Sequence, residues 1–320
     1  MSQPVLAVVD IGSNSIKILV ASPGPGAPKG PELIPLFQET IETRISGGLG
    51  QEKSSLGEAG MTAGLAAIAQ LFALAEPFAP VHRRIVATSA VRDARNRADF
   101  AARVQALAHA PIEVLSGEDE ALLIARGIQT DPALGGDKSF SIMDLGGGSL
   151  ECIRYVTGAI EQAVSLQLGA VRLTEKYVPD ALGPFPAAAR AAVAEESRRA
   201  FAASGFHFLS QGKVVVSGGA FTVVRALFSH RRGFTAKASW PAEILLADLI
   251  ALLDEIAPLP ADARARIPHF TRERADIMPA ALVTIITLLE LAGTDRVVHS
   301  WNNLRFGVAA RFFAQLRDQR

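Results

Sequence analysis

The stretch Asp144-Leu145-Gly146-Gly147-Gly148-Ser149-Leu150-Glu151 decides the fold. An apolar run, Phe140 to Asp144, enters it and another, Leu150 to Tyr155, leaves it, so the glycines form a turn between two strands. A third strand, Ile160 to Leu166, completes a meander. About 134 residues earlier the pattern is already present. Val5 to Asp10 reads as a strand, Asp10-Ile11-Gly12-Ser13-Asn14-Ser15 as its turn, and Ile16 to Ala21 as the return strand. The loop Ser22 to Pro31 then leads to a third strand between Leu33 and Ile45. Two meanders, each followed by alternating helices and strands, are an internal duplication and imply two similar α/β lobes. Ligands in α/β lobes sit beyond the carboxyl ends of strands, so the two turns are expected to face a common cleft.

Working outward, helical periodicity covers Gly57 to Leu74 and Arg97 to Ala108, with strands at Arg84 to Thr88 and Ile112 to Leu115. Ser116, with Asp119 three residues on, is an N-cap signal for a helix through Ala125. In the second half, helices are predicted over Ala170–Tyr177, Pro186–Ala203, Phe221–Phe228, Pro241–Ile256 and Asp276–Leu291, with strands at Lys213–Ser217 and Arg296–Ser300. An amphipathic helix, Leu304 to Leu316, closes the chain. The expected division is an N-terminal lobe over 1–130, a C-terminal lobe over 131–303 and a closing helix over 304–320 that packs back on the first lobe.

At 320 residues the chain exceeds what one core usually serves, and 49% hydrophobic with 20% charged residues favours compact cores over disorder. Lysine plus arginine equal aspartate plus glutamate at 32 each, so no global field draws in a polyanion. Such a ligand must be held by local patches, of which Arg83–Arg84, Arg92 with Arg95 and Arg97, and Arg231–Arg232 with Lys237 are candidates, although most of these arginines read more readily as solvated surface charge. No nucleic-acid or membrane partner is expected: no run approaches the roughly 20 apolar residues of a span. The start Met1 to Pro4 shows no basic leader, so a cytoplasmic location is the expectation. The single cysteine, Cys152, has no intramolecular partner, and the six histidines show no zinc spacing.

Four constellations carry the chemistry. In Asp10 to Ser15 a carboxylate ends a strand and small residues (Gly12, Ser13, Asn14, Ser15) let backbone N–H groups approach an anion, although an ordinary hairpin turn reads the same way. In Asp144 to Glu151, three consecutive glycines cost conformational entropy that a plain hairpin does not require, so Gly146, Gly147, Gly148 and Ser149 point to close approach of a ligand. Asp144 and Glu151 flank that turn, and a hard divalent cation such as magnesium takes a few carboxylates plus water and ligand oxygens. No Gly-Lys-Ser/Thr follows, so this is not a P-loop. Gly218 and Gly219 lie at a strand-to-helix junction, where they serve either an anion or close packing. In Ser116-Gly117-Glu118-Asp119-Glu120-Ala121, three acids open a helix; Glu118 and Glu120 lie roughly 200° apart on it, so at most one faces a ligand.

In this order these elements resemble the exopolyphosphatase and guanosine pentaphosphate phosphohydrolase family of the actin-like ATPase superfamily. The resemblance rests on Asp10–Ser15, Thr88–Arg92, Ser116–Ala121, Asp144–Ser149, Ser217–Gly219 and Glu273-Arg274-Ala275-Asp276-Ile277-Met278-Pro279, and covers nearly the whole chain. It implies two ribonuclease H-like lobes with a cleft between them. It further implies Glu120 as catalytic base, Arg92 on the reacting phosphate, and Asp144, with Asp10 and Glu151, organising Mg2+. The implied mechanism is in-line attack by a water oriented by Glu120 on a terminal phosphorus. Two departures stand out: Leu150 replaces the threonine usual after the glycines, and Asn303-Leu304-Arg305-Phe306-Gly307 replaces a Gly-Leu-Arg-Glu-Gly segment. Many relatives carry a further C-terminal helical domain, so short chains are the expected substrates. The leading expectation is an exopolyphosphatase acting on inorganic polyphosphate. Its alternatives are guanosine pentaphosphate hydrolysis, an ATP-dependent kinase on the same fold, and a non-catalytic phosphate or alarmone sensor. The apolar helices Pro241–Ile256 and Asp276–Leu291 are candidate faces for a homodimer.

Overall fold

A computed structural model describes residues 3–24, 33–47, 55–134 and 137–319. The chain forms two compact units, Met1–Gly136 with Asn302–Arg320, and Asp137–Trp301. The first unit contains β1 (Leu6–Ile11), β2 (Ser15–Pro23), β3 (Leu33–Glu42), α1 (Glu58–Ala75), β4 (His82–Ala87), α2 (Ser89–Arg92), α3 (Arg97–Ala108), β5 (Ile112–Val114) and α4 (Gly117–Ile128). The second contains β6 (Ser139–Leu145), β7 (Leu150–Val156), β8 (Ala159–Leu166), α5 (Ala170–Tyr177), α6 (Ala187–Ser204), β9 (Lys213–Gly218), α7 (Gly219–Arg231) and β10 (Glu243–Leu245). It continues with α8 (Leu246–Ile256), α9 (Ala261–Arg264), α10 (Arg272–Ala275), α11 (Met278–Ala292) and β11 (Arg296–His299). The chain then returns to the first unit as α12 (Leu304–Asp318).

The first sheet runs β3-β2-β1-β4-β5, with an antiparallel meander and then strands parallel to β1. The second repeats it as β8-β7-β6-β9-β11, and β10 adds an antiparallel edge beside β11. This is the duplication that the two meanders imply, in the ribonuclease H-like form that the family resemblance implies. Alternation along each strand separates two faces. Ala7, Val9 and Ile11 of β1 pack with Ile68 and Leu71 of α1 and with Phe100 and Val104 of α3. Leu6, Val8 and Asp10 take the opposite face, and α12 packs on β1, β2 and α4. In the second unit Met143, Leu145, Cys152 and Val216 join the core formed with α5 to α8 and α11, leaving Asp144, Glu151 and Ser217 to the other face.

The contact of α4 with α12 depends on two glycines. A Cβ at Gly127 would overlap the carbonyl of Asn303, and one at Gly307 the carbonyl of Leu123, so the two helices meet backbone to backbone.

Several expected elements differ. Pro241–Ile256 is not one helix: the residue before Pro241 is extended, and Glu243–Leu245 pairs with β11 before α8 begins. Asp276–Leu291 is a single helix that starts two residues later than expected, at Met278, with Pro279 in its first turn. Residues 25–31 of the expected loop lie outside the described residues. The expectation that no segment reaches span length is corrected: Glu58–Phe78, 21 residues, is long and apolar enough by composition. Its α1 portion turns Met61, Ala67, Ile68, Leu71 and Phe72 into the first core, so the apolar character is that of a core helix. The division between units falls at Gly136/Asp137 and at Trp301/Asn302, a few residues from the expected boundaries.

Candidate functional site

In the first unit the turn after β1 is closed by Gly12 N–H donating to Ser15 O at 3.1 Å. The chain leaving β3 folds over it. Asn14 O accepts from the N–H groups of Thr43 (3.0 Å) and Arg44 (2.9 Å), and Ser13 O accepts from the N–H and hydroxyl of Ser46. Ser13 and Ser89 share a hydroxyl–hydroxyl hydrogen bond of 3.0 Å, linking the turn to α2. Asp10 ends β1 nearly buried, opposite Lys17 on β2, and its Oδ1 has no hydrogen-bond partner. Burial pushes its carboxyl up, while Lys17 and Arg305 oppose that rise.

The same unit brings Arg92 and Glu120 together. Ser116 caps α4 by accepting from the Asp119 N–H at 3.0 Å, as its spacing implies. Of the acids that follow, Glu118 and Asp119 are exposed and Glu120 is buried, so one alone turns inward. Arg92, at the end of α2, donates through Nη1 to Glu120 Oε2 at 2.8 Å and to Leu115 O at 3.0 Å. Sequence reading placed the two residues in one site; the ion pair between them was not legible.

In the second unit the equivalent closing bond is Gly146 N–H to Ser149 O, 3.0 Å. Again the chain after the meander folds over the turn. Gly146 O accepts from Ala170 N–H, Gly147 O from Val171 and Arg172 N–H, and Gly148 O from Arg172 Nε at 2.8 Å. The peptides of this turn are trans, so carbonyls drawn to one side turn the N–H groups of Gly147, Gly148 and Ser149 to the other. The glycines also have a packing reason: a Cβ on Gly169 would overlap the backbone of Gly147 and Gly148, so the two strands of chain touch. None of Gly146, Gly147 and Gly148 adopts a positive φ, so the run serves close approach rather than a left-handed bend.

Strand register sets four polar residues in a row across this sheet: Ser165 on β8, Glu151 on β7, Asp144 on β6 and Ser217 on β9. Ser165 donates to Glu151 Oε1 at 2.8 Å and Ser217 donates to Asp144 Oδ2 at 2.7 Å. Residues opposite one another on paired strands share a face. Asp144 and Glu151, 7% and 2% exposed, therefore form a buried carboxylate pair, each with one oxygen fixed by a hydroxyl. Among the described residues no three His, Cys, Asp or Glu side chains cluster as a protein-only metal cage, and Asp144 and Glu151 stand side by side as two carboxylates. Magnesium takes one or two carboxylates and completes its shell with water and phosphate oxygens, which suits such a pair.

Gly218 caps α7 with φ 106°, a conformation only glycine takes without strain, and lies against Asp144 Oδ1 and Leu145 O. Beside it a Cβ on Gly219 would overlap the guanidinium of Arg274, which reaches from α10. Helix–strand packing therefore accounts for Gly218, while Gly219 admits a buried cation that sequence reading included in a motif but not in the site. Leu150 joins the apolar core, so its replacement of a hydroxyl residue is absorbed by packing.

A family model described as the Ppx/GppA phosphatase family matches residues 20–314. The chain belongs to this family. Among solved structures it is similar to an exopolyphosphatase from Cytophaga hutchinsonii, with 22% identity, a TM-score of 0.85 and coverage of 97% of this chain and 98% of that one. It is also similar to a Ppx/GppA family member from Aquifex aeolicus, with 21% identity, a TM-score of 0.78 and coverage of 98% and 99%. At these identities the structural likeness speaks for the fold, and the family match for a Ppx/GppA phosphatase. Within that frame the residues not anticipated are Lys17, Arg172, Ser165, Ser217, Arg274 and Arg305. Ser217, Arg274 and Arg305 stand in segments already singled out but given no such role, whereas Lys17 and Ser165 are brought in by strand register and Arg172 by the segment folded over the turn, which no local motif announces.

Proposed function

We propose that this Ppx/GppA protein releases the terminal orthophosphate of inorganic polyphosphate by attack of water. The observation that carries the reading is the Gly146–Ser149 turn, whose carbonyls are consumed by the Ala170–Arg172 segment so that three successive N–H groups are presented together. Such a cradle suits the oxygens of a phosphate chain and needs no base or sugar. Gly12 to Ser15 supplies the matching turn in the first unit, closed by the same bond.

Glu120 orients the attacking water and accepts its proton, and Arg92 holds that carboxylate through the 2.8 Å ion pair while offering further guanidinium donors to the reacting phosphate. Asp144 and Glu151 are the residues that would hold Mg2+, which when bound neutralises charge on the phosphate oxygens. Arg274, against Gly219, adds fixed positive charge at the start of α7.

The test is phosphate release from short polyphosphate, long polyphosphate, guanosine pentaphosphate and ATP, each with magnesium, beside Glu120→Gln. Release from polyphosphate that Glu120→Gln lowers by about 10²–10⁴-fold supports the proposal. Preference for guanosine pentaphosphate moves the substrate to the nucleotide, and no turnover of any substrate while polyphosphate still binds identifies a sensor.

A further inference from the structure

The repeat makes the two turns comparable residue by residue. With Gly12 N–H to Ser15 O matched to Gly146 N–H to Ser149 O, Asn14 and Gly148 hold the same place. Each meets an arginine from the segment that follows its meander. In the second unit Arg172 N–H donates to Gly147 O, and Arg172 Nε donates to Gly148 O at 2.8 Å. In the first, Arg44 N–H donates to Asn14 O at 2.9 Å, and Arg44 Nε donates to the side-chain oxygen, Asn14 Oδ1, at 3.3 Å. Arg44 is strained in doing so: its φ is 45°, in the left-handed region where a Cβ is crowded. Such strain persists where neighbouring bonds fix the backbone. Here Thr43 N–H also donates to Asn14 O, and Arg44 O accepts from Gly47 N–H. What an arginine adds over a glycine at this position is the Nε bond.

An arginine side chain offers only donors, so the atom of Asn14 that faces Arg44 is the amide oxygen and the amide nitrogen is turned away from it. Asn14 is 5% exposed, and its Nδ2 is buried without a hydrogen-bond partner. A buried donor left unmatched costs free energy, and an oxygen brought by a ligand would remove that cost. In the second turn the same bond falls on a main-chain amide. Arg172 holds Gly148 O, and across that trans peptide the Ser149 N–H is kept on the opposite side. A cation on the carbonyl also polarises the peptide and strengthens its N–H as a donor.

We propose that Arg44 and Arg172 are equivalent positioning residues, each fixing one amide of its turn, Asn14 Nδ2–H and Ser149 N–H, as a donor to a phosphate oxygen. Phosphate as the ligand rests on the phosphate-release reading, whereas the orientation of the two amides rests on the bonds alone. The test is calorimetric titration with inorganic tripolyphosphate and magnesium in a Glu120→Gln parent, which slows consumption of the ligand. Arg44→Met, Asn14→Ala and Arg172→Met should each weaken binding by about tenfold or more, as loss of a hydrogen bond to a charged group does. The double variant Arg44→Met/Asn14→Ala should bind no more than about threefold worse than either single one, because both changes remove the same donor. Arg172→Met should move the Ser149 amide nitrogen resonance upfield in the free protein and shrink its shift on adding tripolyphosphate, a readout that a general loosening of packing does not single out. Additive losses in the Arg44–Asn14 cycle would overturn the positioning role of Arg44, since it would then hold phosphate by itself. An unmoved Ser149 resonance would overturn that of Arg172. Binding by the parent that no variant weakens would overturn this inference and leave the substrate reading standing, whereas no binding by the parent would overturn both. Where a methionine variant does not fold, alanine takes its place and the same outcomes apply.

Discussion

Acid should destabilise this protein through His299 before most carboxylates titrate. His299 closes β11 at 2% exposure, edge-on to Trp301 with ring centroids 4.6 Å apart. Its Nδ1 lies 3.2 Å from Arg225 Nη1, which also donates to the His299 carbonyl at 3.0 Å. With an arginine donor there, Nδ1 must accept, so the neutral ring carries its proton on Nε2. Burial, then the charges of Arg225 and Lys237, press the imidazolium down from the ordinary 6.5 to about 3. Above 6.5 neither state binds the extra proton; between 6.5 and about 3 only the unfolded chain does. Stability therefore falls as pH drops, by about 1.4 kcal/mol per unit, reaching about 2.7 kcal/mol two units below the unfolded value. The loss levels off once the native ring also titrates. The assay is urea unfolding followed by circular dichroism from about pH 7.5 to about pH 4.5, comparing the starting protein with His299→Asn, which keeps an acceptor for Arg225. The substitution should cost about 1–2 kcal/mol at the upper pH through lost ring contacts and then lose less on acidification, so the two curves converge. Parallel curves would refute the reasoning, because they would mean that His299 protonates in the native state as readily as in the unfolded one.

Arg92→Met removes the arginine that pairs with the buried Glu120 carboxylate and should cost about 3 kcal/mol of stability, most of it returned by adding Glu120→Gln, as equilibrium unfolding of the three variants would show. Gly307→Ala pushes a Cβ into the Leu123 carbonyl and should lower stability by about 3 kcal/mol with α4 and α12 forced apart, measurable as a fall in Tm. Cys152 is fully buried in β7, and burial together with Glu151 pushes its thiol well above the usual range; it should react with a thiol reagent only at the rate of global unfolding, and prompt labelling of the native protein would contradict the core placement.

The fold was legible because each meander carries its own punctuation: an aspartate at a strand end, a small-residue turn, and an apolar return strand at Ser15 and Leu150. Helices with capping or uninterrupted periodicity, such as Arg97–Ala108 and Ala170–Tyr177, agree with expectation to the residue. What escaped was tertiary. Glu243–Leu245 has no strand signal of its own and is extended because β11 offers it an edge. The Ser165–Glu151–Asp144–Ser217 row depends on register across four strands, which no single segment specifies. The glycine run at 146–148 was read as close approach of a ligand, and what lies against it in the fold is the chain's own Gly169 and Arg172. Arg305 reaches β2 only because two glycines let α12 lie directly on α4.

The most direct test of the account is hydrolysis of short-chain polyphosphate with magnesium in ¹⁸O-enriched water, with mass analysis of both products. Attack on the terminal phosphorus predicts one solvent oxygen in each released orthophosphate and none in the shortened chain, with the labelled product lost in Glu120→Gln. Label in the shortened chain, or labelled orthophosphate formed as fast by Glu120→Gln as by the unaltered protein, would contradict it.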